Sequence, residues 1–152
     1  MITRWILFLL LSVNAAPAHS VEISFSDWTN LQGQMEVFRP SKKNLLVVLW
    51  ATWCPDCRSK LKNDLPELAN REDLEVVALN TESDSERVRD FVKTEHLPFA
   101  VYQDPSRKYR KALQAFSVPH WALYKKSPTG EYRLAATKPA FDRNEIEKWI
   151  AQ

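Results

Sequence analysis

The chain holds two cysteines, Cys54 and Cys57, separated only by Pro55 and Asp56. Two thiols this close can serve as a structural bridge, as part of a metal site, or as a redox couple. A bridge across a two-residue spacer closes almost no chain and so removes little entropy from the unfolded state. Stapled secreted scaffolds carry more cysteines, spread to close long loops. A zinc site needs four ligands, or three and an open position. Here there is no second cysteine pair, and His19, His96 and His120 show no paired ligand spacing. The favoured chemistry is therefore dithiol–disulfide exchange, in which a thiolate is the nucleophile. The bridge and the half zinc site stand behind it as alternatives. The redox reading calls for no metal and no cofactor.

A thiolate must be stabilised, and the surrounding sequence offers the means. Leu45 to Trp50 (LLVVLW) is a continuous apolar run, the pattern of a central strand buried on both faces. It aims the chain at a loop from which a helix begins, since proline is tolerated at a first helical position and Pro55 stands there. Leu61, Leu65 and Leu68 follow at helical spacing, while Pro66 predicts a kink or a break. Cys54 then lies at the helix N-terminus, where unpaired N–H groups and the helix dipole favour negative charge. Cys57 lies one turn deeper. Asp56 and Arg58 bring two charges close to the sulfurs.

The rest of the chain supplies the frame. Val21, Ile23 and Phe25 alternate with polar residues and predict a short strand, followed by an irregular stretch from Ser26 to Lys43. Further strands are expected at Leu74–Asn80, Phe99–Gln103, Trp121–Lys125 and Tyr132–Ala136. The last two are joined by Ser127-Pro128-Thr129-Gly130, a hairpin signal. Helices are expected at Ser85–Glu95 around Val88, Phe91 and Val92, and at Ser106–Phe116 with Tyr109, Leu113 and Phe116 on one side. Asp142 and Glu145 fit a capping-box-like start to a last helix, with Ile146, Trp149 and Ile150 as its buried stripe. Strands alternating with helices imply parallel crossovers, and the chain ends in a hairpin and a helix. The expectation is one α/β domain with a mixed sheet.

Bulk properties narrow the class. The chain has 152 residues, 45% hydrophobic and 26% charged, an ordinary globular balance. A formal net charge of +2 and the lack of a block of like charges give no support to nucleic acid or anionic membrane surfaces as partners. With only Gly33 and Gly130, phosphate-cradling glycine loops are absent. Arg4, the apolar run Trp5–Val13 and Ala16-Pro17-Ala18 read together as a secretory signal over residues 1–18. The mature domain would then span 19–152, in a periplasmic or secreted setting. The rival reading is an uncleaved anchor, although the run is short of the roughly 20 residues a spanning helix needs.

Trp50-Ala51-Thr52-Trp53-Cys54-Pro55-Asp56-Cys57-Arg58 resembles the active-site segment of the TlpA/ResA-type thioredoxin-like proteins. Val118-Pro119 is similar to their second hallmark, a cis-proline facing the cysteine pair, and the likeness runs from about Val21 to Ile150. It implies a thioredoxin-like three-layer sandwich with a mixed central β-sheet. It also implies extracytoplasmic reduction of protein disulfides, often in cytochrome c maturation or metal-centre assembly. Cys54 would attack and Cys57 would resolve. Trp53, Pro55, Val118 and Pro119 would meet the substrate, and Asp56 would tune the pair. Partners would be disulfide-containing proteins and a redox donor protein, met by a monomer. The alternative is a carrier or chaperone that binds metal or substrate without redox turnover. A peroxidase lacks support, for no proline–threonine–cysteine nucleophile is found.

The chain also departs from its relatives. Lys60 stands where they often carry glutamate, and Val48 where plain thioredoxin has a buried aspartate. Lys62 replaces an expected helix proline, and His120 follows Pro119 where threonine is usual. His120 could approach the cysteines and move protons. An exposed residue at the rim, leading its strand, is the preferred reading. Trp50 is expected in the core and Trp53 at a peptide-binding surface.

Overall fold

The computed structural model describes residues 25–152. The expected signal segment, and the start of the first expected strand at Val21 and Ile23, lie outside the described residues. Eleven elements follow in the order β1 (Trp28–Thr29), β2 (Met35–Glu36), β3 (Asn44–Trp50), α1 (Pro55–Ala69), β4 (Leu74–Asn80), α2 (Ser85–Glu95), β5 (Ala100–Gln103), α3 (Lys108–Ala112), β6 (His120–Lys126), β7 (Tyr132–Pro139) and α4 (Arg143–Ala151). The fold is a thioredoxin-like α/β fold with a mixed sheet and four helices. The strand order is β2-β1-β5-β4-β3-β6-β7. β3, β4 and β5 are mutually parallel, as the alternation of strands and helices requires, while β6 and β7 run antiparallel to their neighbours.

β3 is central, and all seven of its residues are buried. Because successive side chains of a strand point to opposite faces, the run feeds two cores. Leu46, Val48 and Trp50 join Cys54, Cys57, Leu61, Leu65 and Leu68 of the α1 side, where α2 and α4 also pack. Leu45, Val47 and Leu49 join Trp28, Tyr109, Leu113 and Tyr124 on the face covered by α3 and the N-terminal segment. Helices on both faces of one sheet make the three layers. On the α3 side, Phe25, Trp28, Phe38 and Tyr102 form a web of edge and stacked rings. The Tyr109 and Tyr124 hydroxyls meet beneath it at 2.8 Å.

Three local expectations are corrected. The helix at the cysteines runs unbroken through Pro66 to Ala69. Proline inside a helix costs about 3 kcal/mol. Burying Leu61, Leu65 and Leu68, each at most 1% exposed, returns about 1.5–3 kcal/mol apiece. Packing wins. The stretch Ser26–Lys43 is not wholly irregular, since β1 and β2 pair within it around Gly33, whose φ of 80° suits a residue without a side chain. α3 is far shorter than Ser106–Phe116: it ends at Ala112, Gln114 adopts a φ of 53°, and Phe116 is 88% exposed instead of core-facing.

Candidate redox site

β3 delivers the chain to the site and α1 carries it away. Cys54 is the N-cap of α1, with extended backbone and Pro55 in the first turn. Cys54 and Cys57 form a disulfide, their Cα atoms 5.2 Å apart. Their placement is unequal. Cys57 is wholly buried, whereas Cys54 retains 5% exposure. The Cys57 N–H donates to Cys54 Sγ at 3.1 Å, doing for a sulfur what a cap does with oxygen. In the reduced protein the same N–H and the helix dipole stabilise a Cys54 thiolate.

Facing the pair is Val118-Pro119, whose peptide bond is cis. The Val118 carbonyl oxygen lies 3.8 Å from Cys54 Sγ. The two hallmark segments, distant in sequence, therefore meet at the more exposed sulfur. Trp53 is 65% exposed beside it, and Pro55 is exposed as well. Val118 is half-buried and Pro119 buried. Asp56 and Arg58 both face solvent on the first turn of α1. Trp50 belongs to the core, as expected.

The departures have visible consequences. Val48 is buried on the α1 face of the sheet. The Lys60 ammonium lies 3.2 Å from Asp64 Oδ2 and 5.8 Å from the centre of the Phe141 ring. Neither position presents a carboxylate to Cys57.

His120 overturns the expectation of a rim residue, for it is only 5% exposed. It pairs in register with Leu49, and directly opposed residues point to the same face of a sheet. Its ring accordingly lies on the α3 side, away from α1. Nε2 is 2.9 Å from Thr137 Oγ1, which itself donates to the Trp121 carbonyl at 3.0 Å. With that hydroxyl proton spent, Nε2 carries the imidazole proton, and buried Nδ1 is left without a partner. Burial, and then the nearby Arg110 charge, push the His120 pKa below its usual value.

One residue of the site escaped the sequence. Glu82, just after β4, accepts from the Thr52 N–H at 2.5 Å and from Thr52 Oγ1 at 2.9 Å. Asn80 Nδ2 adds a third bond at 3.1 Å, and Asn80 Oδ1 takes the Glu82 N–H at 2.7 Å. The loop ahead of Cys54 is thus clamped to the neighbouring parallel strand. The Thr81 N–H also holds the Trp50 carbonyl at 3.1 Å. Among the described residues, no three of His, Cys, Asp and Glu converge on a point fit for a metal ion.

A thioredoxin-like sheet with a CxxC pair at the head of a helix, opposite a cis-proline, defines the thiol–disulfide oxidoreductases. The chain belongs to the Redoxin family, whose model matches residues 24–123. Solved structures agree on the fold. A secreted Mycobacterium tuberculosis disulfide oxidoreductase homologous to E. coli DsbE is 19% identical, with a TM-score of 0.63 over 86% of this chain and 96% of that one. StoA from Bacillus subtilis is 20% identical, with a TM-score of 0.64 over 86% and 98%. A putative thioredoxin from Neisseria meningitidis is 25% identical, with a TM-score of 0.69 over 87% and 88%. The TlpA/ResA-type likeness read from the sequence holds in these comparisons. No helix of the described residues is long and apolar enough to cross a membrane.

Proposed function

We propose that the protein is an extracytoplasmic reductant of protein disulfides. The observation that carries the reading is the asymmetry of the pair. Cys54 is capped by a main-chain N–H and retains exposure, whereas Cys57 is wholly buried behind it.

In this reading the reduced protein presents Cys54 as thiolate. Its sulfur attacks one sulfur of a substrate disulfide, and the other substrate sulfur leaves as a thiolate that takes up a proton. Cys57 then loses its proton and attacks Cys54 Sγ. The second substrate thiol is released, and the Cys54–Cys57 disulfide forms. Two electrons pass to the substrate, one of its two new thiol protons balances the one lost by Cys57 and the other comes from solvent, and a separate redox donor protein restores the pair. Trp53 and Pro55 on one side, and Val118 and Pro119 on the other, frame the attacked bond. Asp56 places a carboxylate between the cysteines, which disfavours the Cys54 thiolate and draws the couple toward the reducing end. The signal-like segment over residues 1–18 supports export, and two of the similar structures come from proteins described as secreted or exposed.

The test is reduction of insulin disulfides, combined with a glutathione redox titration of the same preparation. Turnover with a potential well below about −120 mV, the level of strong periplasmic oxidants, is expected. No turnover together with tight metal binding would favour the carrier instead.

A further inference from the structure

Residues 107–111 (Arg-Lys-Tyr-Arg-Lys) place four cations in and beside α3. Lys108 is paired with Asp27. Arg110 spends its guanidinium on main-chain oxygens, Nε on Ala115 at 2.8 Å and Nη2 on Phe116 at 2.9 Å. Neutral carbonyls leave its charge uncompensated. Asp104, three residues before Arg107, is 1% exposed, and its carboxylate is taken inward by the N–H groups of Lys108 and Arg110 at 3.0 Å each. Among the described residues, Arg107 and Lys111 make no ion pair with a carboxylate.

These cations rim a cleft of about 350 Å³ lined by Arg107, Arg110, Lys111, Gln114, Ala115 and Phe116. No acidic residue lines it. Phe116 stands 88% exposed at its edge, an aromatic ring that the fold itself does not use. The cleft is tied to the redox site, since Arg110 grips the segment that leads into Val118, whose carbonyl lies 3.8 Å from Cys54 Sγ. At about 3.3 Å per extended residue, a few residues flanking a substrate cysteine would reach from Cys54 into it.

We propose that this cleft docks an acidic segment with an apolar anchor, carried by the disulfide protein that reacts at Cys54. The proposal rests on the reading of the chain as a protein-disulfide reductant. Charge complementarity selects the acidic side chains, and the exposed ring of Phe116 selects the anchor. A polyphosphate or an anionic membrane would call for a broad basic track. This site is a small concavity with an aromatic edge, suited to one or two side chains.

The test uses two labelled, cysteine-free peptides, one with aspartates and glutamates around a phenylalanine, the other with asparagines and glutamines in their place. Fluorescence anisotropy on the oxidised protein at low salt should show the acidic peptide binding about fivefold tighter or more, from two exposed charge pairs. The preference should shrink as salt rises, because the pairs are solvent-exposed. It should vanish in the double variant Arg107→Glu, Lys111→Glu, and Phe116→Ala should weaken both peptides. Equal binding of the two peptides by the wild type would overturn the proposal. So would a preference that the double variant keeps, or one indifferent to salt. The same sequences, each carrying a disulfide, are then offered to the reduced protein. Binding preference without reduction of either peptide leaves the cleft standing and refutes the reductant reading. Equal reduction without a binding preference does the reverse.

Discussion

Replacing Glu82 by alanine should destabilise the oxidised protein by about 3 kcal/mol. Its carboxylate takes bonds from the Thr52 N–H, from Thr52 Oγ1 and from Asn80 Nδ2, at 2.5, 2.9 and 3.1 Å. Thr52 is 7% exposed and Asn80 wholly buried, so their donors find little water when the acceptor goes. A buried donor left unpaired costs about 1–3 kcal/mol. The Thr52 hydroxyl is free to rotate toward another acceptor, so the main-chain N–H and the Asn80 amide dominate. Water entering the space left by the side chain offsets part of their sum. With a urea slope of about 1–3 kcal/mol per molar, the unfolding midpoint should fall by about 1–3 M. Glu82→Gln keeps one acceptor oxygen and should lose about half as much. The assay is urea unfolding of the oxidised wild type and both variants, followed by tryptophan fluorescence. A loss below about 0.5 kcal/mol for Glu82→Ala, with an unchanged slope, would refute the clamp.

Other consequences are open to direct measurement. Asp56→His removes a carboxylate from between the cysteines and should raise the redox potential by about 30 mV for each unit by which the Cys54 pKa falls. A glutathione titration reads the change, and an unchanged or lower potential would show that Asp56 does not set the poise. His120 is held neutral by burial, with the Arg110 charge adding to the effect, so its folded pKa lies below the ordinary 6.5. The unfolded chain takes up a proton that the native state refuses, so this residue's contribution to stability is whole above pH 6.5 and is lost as pH falls through the folded pKa. His120→Leu should therefore flatten the wild-type decline in stability below that pH. Denaturant melts of both proteins at several pH values would show it, and parallel declines would contradict it.

The sequence was most legible where one local signal decided the structure. Leu74–Asn80 is built around the apolar block Val76–Leu79, and Ser85–Glu95 has a clean helical stripe behind the cap Asp84, so both elements have the bounds read from them. The cysteine pair was legible for the same reason, its spacing being rarely used otherwise, whereas the proline opposite it was legible only through the resemblance to a family, since an X–Pro bond is ordinarily trans. What failed depended on contacts that no periodicity in the sequence reveals. Phe116 fits a helical stripe with Tyr109 and Leu113, but the Arg110 guanidinium captures the carbonyls of Ala115 and Phe116 and turns the chain out of the helix. His120 looks like a polar strand leader until its register with Leu49 fixes the face it occupies. Glu82 carries no signal of its own, because its role arises only when parallel pairing brings the end of β4 beside Thr52. Two-residue strands such as β1 and β2 are too short for any periodicity to show.

The division of labour between the two sulfurs is tested most directly by trapping. Cys57→Ser and Cys54→Ser, each reduced, are mixed with a disulfide-bonded protein substrate, and the products are separated without reductant. Cys57→Ser should accumulate a mixed disulfide through Cys54, because the resolving thiol is gone, and Cys54→Ser should form almost none, since Cys57 is wholly buried. Equal adducts from both variants, or adducts from Cys54→Ser alone, would contradict the account.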